Sequence, residues 1–131
     1  MKRDWDVIRS ILLTVEDEKD LLKLISGKAE NEGNTYTSQG QLLSDDNLCG
    51  HIKLLVDGGL IEGVTVSHSH GHWLYNCRRP MLTMKGHDLI DTLRPAGMSQ
   101  KLTKFANERG VELTLDTIKA VFGAFVGSVL A

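Results

Sequence analysis

The sequence predicts a mainly α-helical domain carrying one small β-hairpin, and three observations lead there. Apolar residues recur at three- and four-residue spacing over most of the chain, beginning with Trp5, Ile8, Ile11, Leu12 and Val15. From Val64 to Arg78 that rhythm gives way to alternation about a central His70-Gly71. Gly58-Gly59, Pro95, Gly97 and Gly110 then punctuate the chain where helices are expected to stop.

Taken in order, Asp4 caps the first helix, whose apolar face is the set beginning at Trp5. A second, short helix is expected over Asp20 to Ser26 from Leu21, Leu22, Leu24 and Ile25, with Gly27 as its stop. GKAENEGNTYTSQGQ, residues 27 to 41, is polar and glycine-rich and reads as a loop with a short extended piece at Thr35 to Thr37. Ser44 opens the next helix, with Asp45 and Asp46 in the first turn, where the helix dipole favours negative charge. Leu48, Ile52, Leu55 and Val56 form its inner face; Leu60 and Ile61 then return the chain to the core. After the hairpin, Thr83 caps a helix that turns Leu89, Ile90 and Leu93 inward. Two helices complete the chain, over about residues 99–109 and about 115–130, the latter capped by Thr114. The expected organisation is a domain over residues 1–95 and a C-terminal helical extension over 96–131.

The hairpin sequence VSHSHGHWLYNC, residues 66–77, holds three of the five histidines. On one straight strand His68, His70 and His72 would share a face, and with Cys77 they would offer zinc a set of nitrogen and sulfur ligands. The apolar pattern predicts another geometry. A two-residue turn at His70-Gly71 pairs Val64 with Cys77, Val66 with Tyr75 and His68 with Trp73 on one face. Thr65 then pairs with Asn76, Ser67 with Leu74 and Ser69 with His72 on the other. His68 and His72 diverge in that register, so the expectation is no metal and no cofactor, with His68 stacked on Trp73.

The chain has 131 residues, 41% apolar and 24% charged, which suits one folded soluble unit. Fifteen Lys and Arg stand against 17 Asp and Glu, a net charge of −2, so nucleic-acid binding would need a local basic patch. Arg78, Arg79 and Lys85 form the one local concentration of positive charge. Cys49 and Cys77 make no disulfide framework and the start carries no signal peptide, so a reduced, cytoplasmic protein is expected. AVFGAFVGSVLA at the C-terminus is too short to cross a membrane unaided. No glycine loop with lysine, HExxH or CxxC is present, and no catalytic residue is assigned; the chain does not read as an enzyme.

Helix, helix, hairpin, helix is the order of a winged helix-turn-helix core. CGHIKLLVDGGLIEG resembles the recognition-helix segment of winged-helix repressors of the arsenic-repressor and multiple-antibiotic-resistance types, through His51, Ile52, Lys53, Leu55, Gly59, Leu60 and Ile61. RPMLTMKGHDLIDTL resembles the segment after their wing, through Leu82, Thr83 and Gly86. The opening MKRDWDVIRSILL, these two segments and LTLDTIKAV together look closer to a family of bacterial and prophage proteins carried as a domain of unknown function.

The resemblance implies a DNA-binding regulator of phage or prophage type, acting on double-stranded DNA. Asn47, His51 and Lys53 would read bases or phosphates from the helix. His70, His72, Arg78, Arg79 and Lys85 would hold phosphates from the wing and its base. Asp45 and Asp46 face the wrong way electrostatically for that role, and SQGQLL is barely a turn or two where such readers place a full helix. The alternative is a protein-interaction module on the same scaffold, with a host or phage protein as partner. The C-terminal helix adds a broad apolar stripe and the pair Gly123 and Gly127, which suggest a homodimer through that helix.

Overall fold

The computed structural model describes residues 2–24 and 38–130. Among these it has five α-helices, one 3-10 turn and a three-stranded antiparallel sheet, an α/β arrangement in which helices predominate. The chain divides into two compact units, Met1–Ile90 and Asp91–Ala131. The sequence reading set that division after Pro95; here it falls inside a helix.

Helix α1 (Trp5–Glu16) starts at Asp4, whose carboxylate accepts from the Asp6 and Val7 amides. It buries Trp5, Ile8, Ile11, Leu12 and Val15, the face expected from their spacing. A single 3-10 turn follows at Leu21–Leu24, with the Asp20 carboxylate accepting from the Leu22 amide at 2.9 Å. The remainder of the second expected helix, Ile25 and Ser26, and the extended piece at Thr35 to Thr37 lie outside the described residues.

SQGQLL differs from expectation. It is neither loop nor helix but strand β1 (Ser38–Leu43). α2 (Asp46–Asp57) follows two residues later, capped by Asp45 instead of Ser44: the Asp45 carboxylate accepts from the Leu48 amide at 2.9 Å. β2 (Ile61–Ser69) and β3 (His72–Leu82) form the hairpin, and β1 pairs antiparallel with the other edge of β3, giving the order β1-β3-β2. All six hairpin pairs of the expected register, Val64 with Cys77 through Ser69 with His72, are present. Val64, Tyr75 and Cys77 are buried on the inner face, where α2 packs. Each large side chain so removed from water contributes about 1.5–3 kcal/mol.

α3 (Met84–Leu93) starts at Thr83, whose hydroxyl accepts from the Gly86 amide. Thr83 also ties this start to the turn after α2. Its hydroxyl donates to the Gly59 carbonyl and its amide to the Leu60 carbonyl. A Cβ on Gly86 would run into that same Leu60 carbonyl, so only glycine permits this approach of α3.

In the second unit, Gly97 at φ 79° leads into α4 (Met98–Glu108), and Gly110 at φ 69° follows it. Thr114 and Thr117 exchange reciprocal amide-to-hydroxyl hydrogen bonds of 2.8 and 3.2 Å ahead of α5 (Ile118–Leu130). The broad apolar stripe of α5 predicts a helix buried against the rest of the chain or against a second copy. Within this chain it buries only Ile118 and Val121, leaving Val129 and Leu130 exposed. No described helix is long and apolar enough to cross a membrane.

Candidate recognition surface

The residues singled out on α2 separate into two environments. Asn47 and Lys53 are exposed, as are Asp46, Leu54 and Asp57 beside them. The Lys53 ammonium is held by the Asp57 carboxylate at 2.8 Å, one turn on. Asp46 accepts a 2.8 Å hydrogen bond from the Trp73 indole, which joins the start of α2 to β3.

His51 is different: it is fully buried. Its Nδ1 lies 2.7 Å from the Asn47 carbonyl, and its Nε2 accepts from the Asp4 amide at 2.8 Å. A carbonyl only accepts and an amide only donates, so the partners assign a neutral ring with the proton on Nδ1. His51 therefore bolts the start of α1 to α2 and offers nothing to an external ligand. The signal was present in the sequence, because positions 48, 51, 52 and 55 make one helical stripe.

At the hairpin tip, His70 (φ 52°) and Gly71 (φ 80°) both take positive φ, as a type I′ turn requires. His68, His70 and His72 are all exposed. His70 Nδ1 and Ser69 Oγ share a 2.8 Å hydrogen bond, and His72 Nδ1 donates to the His70 carbonyl at 3.2 Å. His68 packs edge-on against Trp73 with centroids 4.9 Å apart. The register sends His68 and His72 to opposite faces. Among the described residues no three His, Cys, Asp or Glu side chains gather as a cation would need.

Arg78 and Arg79 owe their exposure to an irregularity. Between the pairs Glu62–Met81 and Val64–Cys77, β3 uses residues 78–80 where β2 uses Gly63 alone. This bulge carries Pro80 and turns both arginines outward in succession, where a regular strand would bury one. Gly63, at φ 83°, lies against the Arg79 carbonyl, and a Cβ there would collide with it. Arg79 stands 3.8 Å from Glu18, both side chains largely in water. Lys85 is exposed in the first turn of α3.

Two features escaped the sequence reading. Leu42 and Leu74 oppose each other across β1 and β3 on the outer sheet face, 68% and 38% exposed. Finding that pair required knowing that SQGQLL is a strand. Leu54, 41% exposed, lies off the core stripe of α2.

Beneath the sheet, burial pushes the Cys49 thiol up to about 12, with Asp45 and Asp46 adding to the effect. Burial likewise raises the Cys77 thiol and, further, the Tyr75 phenol. Tyr75 Oη lies next to the Cys77 sulfur but has no hydrogen-bond partner of good geometry. These thiols are protonated core groups, unsuited to nucleophilic or ligand chemistry.

A family described as hypothetical protein DUF2513 matches residues 2–112. The chain belongs to the DUF2513 family. An uncharacterized protein of Haemophilus influenzae Rd is 30% identical over 131 residues, covering 100% of both chains. No solved structure matches the chain. The DUF2513 match takes in α1, the α2–hairpin segment, α3 and α4, and stops before α5.

Proposed function

We propose that this DUF2513 chain is a winged-helix domain that recognises a protein partner and does not read DNA through α2. The winged-helix reading is supported by the hairpin that follows α2 directly and by a first strand completing its sheet in the order β1-β3-β2. The observation that carries the choice of partner is the exposed face of α2. There Asp46, Leu54 and Asp57 are exposed along with Lys53, whose charge Asp57 already holds. A polyanion is repelled by such a face, since phosphate neutralisation supplies most of the affinity of DNA binders. Leu42 and Leu74, paired in the open on the sheet, suit a protein partner instead.

A second reading has its own observation. The bulge on β3 presents Arg78 and Arg79 together, with Lys85, His70 and His72 also exposed, so wing-mediated contact with duplex phosphates is the competing function of a regulator. In either case we infer a homodimer through α5, whose Gly123 and Gly127 have open space where a second backbone would approach.

Fluorescence anisotropy with mixed-sequence duplex at about 50 mM salt, a condition that favours phosphate contacts, separates the two. Absence of binding, together with nuclease-resistant capture of a host protein that Leu74→Glu abolishes, supports the protein reading. Binding that falls steeply with salt and is lost in the Arg78→Ala, Arg79→Ala double variant replaces it with the DNA reading.

A further inference from the structure

The second unit contains an open groove between α4 and α5, with a volume of about 230 Å³. Ala106, Ala120 and Ala124 leave it empty, and Phe105, Val111 and Val121 supply apolar wall. From Thr117 to Ala124 the α5 side runs along one helical stripe about 10 Å long.

Arg109 stands at this groove, its guanidinium carbon 3.5 Å from the Phe105 ring centroid. One of its nitrogens donates to the Phe105 carbonyl at 3.3 Å. Among the described residues no carboxylate pairs with Arg109. Stacking on the ring fixes the guanidinium plane while its remaining donors stay available, a preorganised seat for a carboxylate.

The openness of the groove decides what kind of ligand fits. Sites for small apolar molecules enclose about 70–90% of the ligand surface, and a groove without a roof leaves much of such a molecule in water. A helix laid along it brings its own roof, with apolar side chains at one-turn spacing as anchors. Three alanines between the longer Phe105, Val111 and Val121 provide room for those anchors.

We propose that the α4–α5 groove receives an amphipathic helix of a partner protein, two apolar side chains one turn apart seating over Ala106, Ala120 and Ala124 and a carboxylate pairing with Arg109. This surface lies in the second unit, distinct from the sheet and α2 surface proposed above, and it shares α5 with the inferred homodimer. Chain mass by light scattering during the titration tells the two occupants apart: unchanged when a peptide helix binds, halved if that helix displaces a second copy from the groove. The second result overturns the partner-helix assignment.

The test uses the full chain and two blocked helical peptides of identical apolar pattern, with leucines at i, i+4 and i+7. One carries flanking glutamates and the other lysines. Anisotropy titration should show the glutamate peptide binding about three- to fivefold more tightly, the upper range of a solvent-exposed ion pair. Arg109→Glu, at an exposed site, should reverse that preference, and Ala124→Phe should weaken both peptides by filling the groove. Circular dichroism confirms folding, and methyl chemical shifts of Ala106, Ala120 and Ala124 report the site even where Ala124→Phe folds poorly. Equal affinity for the two peptides, no binding of either, or shifts confined to other residues would overturn the proposal. So would octanoate occupying the groove in preference to the glutamate peptide, which would assign it to a small amphiphile.

Discussion

Replacing His51 separates a structural bolt from a DNA-reading side chain, because the two roles predict opposite phenotypes. The imidazole is fully buried, and its Nε2 is the acceptor for the Asp4 amide at 2.8 Å. His51→Ala leaves that amide without its partner, at about 1–3 kcal/mol, and opens a cavity whose cost adds to it. A total of about 3–4 kcal/mol is expected, a large share of the roughly 5–15 kcal/mol that holds a domain of this kind together. His51→Gln places Oε1 close to the position of Nε2 and can still accept from Asp4, so it should cost about 1 kcal/mol. His51→Asn reaches only the Nδ1 position, 2.7 Å from the Asn47 carbonyl, and abandons the Asp4 amide; it should fall between the two.

Urea unfolding at fixed pH reads the series. With a slope of about 2 kcal/mol/M, His51→Ala should lower the midpoint by roughly 1.5–2 M with the slope unchanged. The order Gln above Asn above Ala is the signature of the Nε2 bond. An alanine variant as stable as the parent, or Asn above Gln, would refute the latch and return His51 to the surface. Any loss of duplex binding in a folded His51→Gln variant would point the same way.

Alkaline stability follows from the buried thiols. The Cys49 thiol is raised from 9.0 to about 12, so its contribution is complete below about pH 9 and is lost as pH climbs toward 12. Stability should fall by roughly 1.4 kcal/mol per pH unit across that window for this group; Cys77 and Tyr75 steepen the fall, and Cys49→Ala removes part of it, as urea midpoints at pH 8, 10 and 11 will show. Gly86→Ala should destabilise by at least about 2 kcal/mol, because its Cβ meets the Leu60 backbone carbonyl and not a side chain that can move; a thermal melt indistinguishable from the parent contradicts the close approach. His70→Asn should raise stability by about 0.5 kcal/mol, since Asn-Gly suits the type I′ turn better than His at φ 52°; a lower melting temperature would show that the histidine makes tip contacts worth more than its backbone strain. Light scattering should give twice the chain mass at micromolar concentration, and Gly123→Leu with Gly127→Leu should return it to one; a monomeric parent chain removes the dimer.

The hairpin was legible to the residue because two constraints coincide. Val64, Val66, Tyr75 and Cys77 demand one common face, and His-Gly is a sequence on which a two-residue turn can close. β1 was not legible: SQGQLL has no alternation and no β-branched residue, and it becomes a strand by filling the free edge of β3, whose paired residues lie at least thirty positions away. The bulge leaves a trace in the sequence, since Pro80 cannot donate to a ladder within a central strand. The repressor-like motif points His51 outward, whereas the helical stripe of positions 48, 51, 52 and 55 sends it inward, and the structure follows the stripe.

The motif residues themselves show what the resemblance encodes. Gly59 and Leu60 come from one matching segment and Thr83 and Gly86 from the other, and these four residues meet one another. Thr83 bonds to the Gly59 and Leu60 carbonyls, and Gly86 lets α3 close over Leu60. His51, in the first segment, is spent on Asp4. The resemblance to winged-helix repressors is thus written largely in residues that assemble a turn, a hairpin and a helix start. On the proposed reading, recognition is carried by side chains outside that lock: Asp46, Leu54 and Asp57 on α2, Leu42 and Leu74 on the sheet, and Arg78 and Arg79 on the bulge. Leu74→Glu alters one of these exposed side chains and leaves the lock intact. Its binding phenotype, with an unchanged unfolding midpoint, is therefore the measurement that tells partner recognition from scaffold.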